Sequence, residues 1–93
     1  RIVPFLSGIR LQDFNELEDN GMNVKGVIIA AMKDNSSAAM AGLQPGDVII
    51  SVNNQTTPNL TAFRQAIRNQ KANLLLKISR DSSTLYMVLK PFA

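Results

Sequence analysis

The chain has 93 residues, 45% of them hydrophobic, enough for one small core and too few for two. It has no cysteine and no histidine, which excludes a disulfide framework, thiolate or imidazole metal ligation, and a serine–histidine–aspartate triad. A net charge of +3 is spread along the sequence, and no apolar run approaches the ~18–20 residues of a membrane span.

The chain begins at Arg1, not Met, without a signal-like stretch, and so reads as a piece of something longer. Residues 1–5 form an extended lead-in, because Pro4 disfavours helix at the residue before it, and residues 6–93 form a single domain. Leu6-Ser7-Gly8 opens as a loop into a first strand around Ile9–Phe14, where Ile9 and Leu11 alternate with Arg10 and Gln12. Residues 13–23, with Asp13, Glu16, Glu18, Asp19 and then Asn20-Gly21, read as a solvated connection holding at most a helical turn. Gly26–Met32 is apolar throughout and reads as a central strand. Asp34-Asn35-Ser36-Ser37 offers capping side chains to a short helix over Ala38–Ala41.

Residues 41–53, Ala-Gly-Leu-Gln-Pro-Gly-Asp-Val-Ile-Ile-Ser-Val-Asn, combine three signals. Gly42 can close the helix in a left-handed conformation, and Pro45-Gly46 suits the middle of a type II turn. Asp47 is expected to fix that turn by accepting backbone hydrogen bonds. Val48, Ile50 and Val52 then form the buried face of a strand, and Asn53-Asn54 a tight reversal. Thr57 caps a second helix over residues 58–70, with Pro58 at its first position and Leu60, Phe63, Ala66 and Ile67 on one face. Two strands end the chain: Leu74, Leu76 and Ile78 mark the first, Arg80-Asp81-Ser82-Ser83 the turn, and Leu85, Met87 and Leu89 the second.

Little in this pattern can do chemistry. The acidic residues lack an apolar pocket that would raise a carboxyl pKa, and Ser36-Ser37 and Ser82-Ser83 have no base beside them. Gly42 and Gly46 match no phosphate-binding loop. Arg64, Arg68 and Lys71 share a helical face but have no interleaved aromatics, and read as a solvated face and not as a nucleic-acid surface. At least three of Met22, Met32, Met40 and Met87 are expected to fill core. The chain is expected to be non-catalytic and to use no cofactor and no metal.

The run 41–53 resembles the central motif of PDZ domains, in particular those of bacterial HtrA/Deg-type serine proteases, and the resemblance extends over residues 6–90. It implies an α+β, mainly β fold: a partly open antiparallel barrel capped by two helices, in the circularly permuted bacterial order. Residues 84–93 fit the end of the C-terminal (second) PDZ domain of a DegP/DegQ-like periplasmic protease. The resemblance then implies a periplasmic location and a serine endopeptidase parent engaged in protein quality control. It places a peptide-binding groove on the loop and strand Leu6, Ser7, Gly8, Ile9, Arg10 and Leu11, faced by Phe63, Ala66 and Ile67 of the second helix. A ligand would add as a strand, its terminal carboxylate held by backbone N–H groups near Gly8. Ser7 departs from the apolar residue usual in that loop, which makes the terminal pocket shallower or more polar. Two roles stay open: capture of unfolded or C-terminal peptide segments, or docking onto other domains of the same protease to build a homo-oligomer or cage. A secretion-system or intramembrane-protease component is a third placement.

Overall fold

A computed structural model describes residues 7–68, 70 and 73–89. The lead-in 1–5, Leu6, Lys71 and the end 90–93 lie outside the described residues. The elements run β1 (Ile9–Leu17), β2 (Asn23–Met32), α1 (Ser37–Met40), β3 (Val48–Val52), β4 (Gln55–Thr56), α2 (Leu60–Arg68), β5 (Leu74–Arg80) and β6 (Ser83–Leu89). The strands form one sheet in the order β1-β2-β3-β5-β6, with β4 attached to β3, and every pairing is antiparallel. The open, mainly β architecture with two short helices is the one expected.

The core gathers Val27 and Ile29 of β2, Ile49 and Val52 of β3, and Leu74, Leu76 and Ile78 of β5 against Phe63, Ala66 and Ile67 of α2. α2 is amphipathic: these three residues are buried, whereas Arg64, Gln65 and Arg68 are exposed. Met32 and Met87 pack against the core, but Met22 and Met40 are exposed, so core filling accounts for two methionines and not three.

β1 runs on to Leu17, and β2 begins at Asn23, so most of residues 13–23 belongs to a two-stranded ribbon and not to the solvated connection expected. The reversal is confined to Glu18–Met22, where the Glu18 N–H donates to the Met22 carbonyl at 2.7 Å. Beyond Phe14 the ribbon leaves the core, and Asn15, Glu16 and Leu17 are all exposed. With no buried face, a strand has no period-two signature to read. The Asn23 amide donates to Asn15 Oδ1 across the ribbon at 2.9 Å.

In β3 the pairing slips between Ile49 and Ser51, leaving Ile50 as a bulged residue. Val48, Ile49 and Val52 are buried, whereas Ile50 is half-exposed, so the strict alternation expected for β3 is broken at the bulge. The Ile50 carbonyl accepts the Thr57 N–H at 3.1 Å. Both two-residue turns have the positive φ that right-twisted hairpins favour: 50° and 66° at Asn53-Asn54, and the same at Asp81-Ser82.

Ser36 caps α1, its hydroxyl accepting the Ala39 N–H at 3.1 Å. α2 begins at Leu60, later than expected, and its cap is Asn59, whose Oδ1 accepts the Ala62 N–H at 2.9 Å. Thr57 lies outside the helix, fully buried, and its hydroxyl has no hydrogen-bond partner. Replacing Thr57 by the isosteric Val should therefore be neutral or slightly stabilising, because an unpaired buried hydroxyl is removed. Asn59→Ala should cost about 1 kcal/mol through the lost cap. Urea unfolding of the two variants checks the assignment, and the reverse ranking would restore Thr57 as the cap.

Candidate functional site

β1 and β6 end the strand order, each with one strand partner among the described residues, and the two-residue β4 pairs β3 alone. Of the two ends of the order, β1 packs beside α2. Ile9 and Leu11 are half-buried and pack against the core, as does Leu60 at the start of α2, whereas Arg10 is exposed. Phe63, Ala66 and Ile67 lie deeper, at 0%, 4% and 5% exposure. They join Ile9 and Leu11 in one apolar body, in which Phe63 is core and presents no free surface.

The loop before β1 is held by one conformationally demanding residue. Gly8 has φ +83°, which side chains beyond glycine rarely adopt, and its carbonyl accepts the Lys33 N–H at 2.8 Å. Ser7 is exposed at the mouth of this loop, and Leu6 lies outside the described residues. The segment thus enters β1 through a turn anchored to the end of β2, with its outer edge unpaired by any described strand.

One contact bridges the two walls. The Leu60 N–H, in the first turn of α2, donates to Asp13 Oδ1 at 2.7 Å. In sequence Asp13 stands among solvated acids, and no local pattern links residues so far apart.

The turn before β3 is polar and structural. Asp47 Oδ2 accepts the Gln44 N–H at 2.9 Å, and the Asp47 N–H donates to the Gln44 carbonyl at 3.1 Å around Gly46 at φ +94°. Its larger role is a forked ion pair: Arg80 Nε and Nη2 donate to Asp47 Oδ1 and Oδ2 at 2.8 and 2.7 Å. Arg80 Nη2 also donates to the Gly42 carbonyl at 2.9 Å, tying the end of β5 to the end of α1. The hydrogen bonds to Asp47, opposed by burial, raise the Arg80 pKa above its ordinary value, so the charge persists at any pH where the fold does.

A depression of about 590 Å³ lies on the outer sheet face, lined by residues such as Lys25, Ile50, Lys77 and Tyr86. It shares no residue with the β1–α2 site. An extended chain needs main-chain partners and not an enclosed volume, and the β1 edge offers them. Among the described residues no cluster of acidic side chains could hold a metal ion, and no helix is long and apolar enough to cross a membrane.

The family model described as PDZ domain matches residues 4–79. The periplasmic serine endoprotease DegP of Salmonella typhimurium is 36% identical over 75 residues, covering 81% of this chain and 16% of that protein. The periplasmic pH-dependent serine endoprotease DegQ of Escherichia coli is 35% identical over 89 residues, covering 96% of this chain and 19% of that protein. The chain therefore spans less than a fifth of the length of these relatives. Among solved structures, the HtrA3 PDZ domain bound to a phage-derived ligand superposes with a TM-score of 0.74 at 22% identity, covering 89% of this chain and 80% of that one. The HtrA-type protease AlgW with a decapeptide gives 0.67 at 20% identity, over 89% of this chain and 27% of that one. At these identities the two structures speak to the fold alone.

Proposed function

Because the chain belongs to the PDZ domain family, we propose that residues 6–93 are a non-catalytic peptide-interaction module of a periplasmic HtrA-type serine endopeptidase engaged in protein quality control. It would hold extended or C-terminal segments of unfolded protein by adding them as a strand to β1. The observation that carries this reading is the outer edge of β1, which no described strand pairs, beginning at the glycine-turned loop and flanked by α2. An edge strand offers a row of N–H and C=O groups that an extended chain can satisfy without regard to its side chains. Selectivity would come from alternate ligand side chains meeting the half-buried Ile9, Leu11 and Leu60, since Ala66 and Ile67 are buried in the core. HtrA3 and AlgW, solved with a phage-derived ligand and a decapeptide, are consistent with a peptide partner.

The test is a pair of peptides with the same apolar C-terminal sequence, one with a free carboxylate and one amidated, titrated into the domain and followed by amide NMR. Shifts are expected to cluster on Gly8–Leu11 and on α2. Amidation should weaken binding at least about tenfold, as expected for losing hydrogen bonds to a charged group. Equal affinity for both forms would remove the carboxylate from the account.

A second reading, docking onto other domains of the parent to assemble an oligomer, is favoured by the opposite margin. Tyr86 and Val88 of β6, the other end of the strand order among the described residues, are 61% and 57% exposed. Light scattering of the intact parent with and without residues 6–93 decides it: unchanged particle size excludes an assembly role.

A further inference from the structure

We propose that Asp13 is a clasp across the upstream mouth of the β1–α2 groove and limits how many ligand residues pair with β1. The inference rests on the peptide-binding reading and adds which length of ligand the groove admits. Its basis is the 2.7 Å hydrogen bond from the Leu60 N–H to Asp13 Oδ1. Alternate residues of a strand share a face, so Ile9, Leu11 and Asp13 all project from β1 on one side. The first two are half-buried against the core, and the third reaches α2. Along β1 from Gly8, the surface facing the helix is therefore apolar, apolar, and then closed by a carboxylate.

The bond is well placed energetically. The first-turn N–H groups of a helix have no intrahelical acceptor, and the positive end of the helix dipole favours an anion there. Asn59 takes the Ala62 N–H and Asp13 the Leu60 N–H, so two acceptors divide these donors. A strand added antiparallel to β1 with its terminus at Gly8 runs toward Asp13. At about 3.4 Å per residue, the positions Ile9 to Gln12 accommodate about four ligand residues before the clasp. A longer ligand must break the clasp or lift away from β1. The carboxylate thus makes affinity depend on ligand length.

The experiment uses the whole chain as wild type, Asp13→Ala and Asp13→Asn. The ligands are acetylated apolar peptides of four and eight residues that share their last four. In Asp13→Ala, affinity for the four-residue peptide should stay within about twofold, while that for the eight-residue peptide should rise on the order of fivefold, the effect of one net hydrogen bond. The Leu60 amide should exchange faster with solvent in the free Asp13→Ala protein, and Asp13→Asn, which keeps an acceptor oxygen, should fall between. Equal fold-changes for both lengths, weaker binding of the longer peptide, or an unchanged Leu60 exchange rate would overturn the clasp while leaving peptide binding intact. Failure of the wild type to bind either peptide along Ile9–Gln12 would instead overturn the peptide-binding reading, and the clasp's role with it.

Discussion

Replacing Gly26 by Ala should lower stability by about 3 kcal/mol, at the upper end for overpacking, because the obstruction is main chain. A Cβ at this buried position would lie 2.3 Å from the Ile49 carbonyl oxygen and 3.0 Å from Val48 Cγ1. Neither neighbour can retreat cheaply: Ile49 pairs with Val27 on one side and Ile78 on the other, at the centre of the sheet. For a domain of this size the loss corresponds to a fall of roughly 12–24 °C in melting temperature, readable by calorimetry. By contrast, Gly21→Ala meets nothing within 4 Å and should cost only the strain of its φ of +83°. A Gly26→Ala protein melting within a few degrees of wild type would mean that β2 and β3 are further apart than described.

The second large effect is expected at the Asp47–Arg80 pair. Asp47 is 2% exposed and Arg80 24%, so the two partners differ in what truncation leaves behind. Arg80→Ala abandons a buried carboxylate that keeps the Gln44 N–H as a donor, and should cost about 3 kcal/mol. Asp47→Ala leaves a guanidinium that can turn toward water, so about 2 kcal/mol is expected, the usual figure for a broken buried pair being discounted for solvent access. Asp47→Ala also removes the acceptor for Gln44 and loosens the turn into β3. Chemical denaturation of both single variants and the double variant should show strong coupling. The double variant should be little worse than Arg80→Ala alone, because no unpaired carboxylate remains. Additive losses would contradict the pairing.

These two sites mark how far the sequence could be read. Strand and helix identities followed from local pattern: β5 reads buried at Leu74, Leu76 and Ile78 because one face meets core and the other does not. Gly42, Gly46 and Asn53-Asn54 were legible because positive φ is costly for most residues and these types tolerate it. What escaped were features with no local signature. The outer half of the β1–β2 ribbon has no buried face, so its polar run looks like a loop. The bulge at Ile50 inverts the parity of β3, and nothing in a run of three aliphatic residues says which is squeezed out. Thr57 and Asn59 are both cap-type residues, and packing rather than propensity chose between them. The same limit applies to the candidate site. Gly8 and the amphipathic face of α2 were visible as patterns. The Arg80–Asp47 fork and the Asp13–Leu60 bridge join residues far apart in sequence, and only the folded chain brings them together.

The central claim is that an extended peptide pairs with β1 and with no other margin. Hydrogen–deuterium exchange resolved to single amides, with and without a saturating apolar C-terminal peptide, tests it most directly. The account predicts slowed exchange confined to Gly8–Gln12 and the adjoining first turns of α2, with the Ser83–Leu89 edge unchanged. Slowed exchange along Ser83–Leu89 or around Lys77 and Tyr86, with Ile9–Gln12 unaffected, would contradict it.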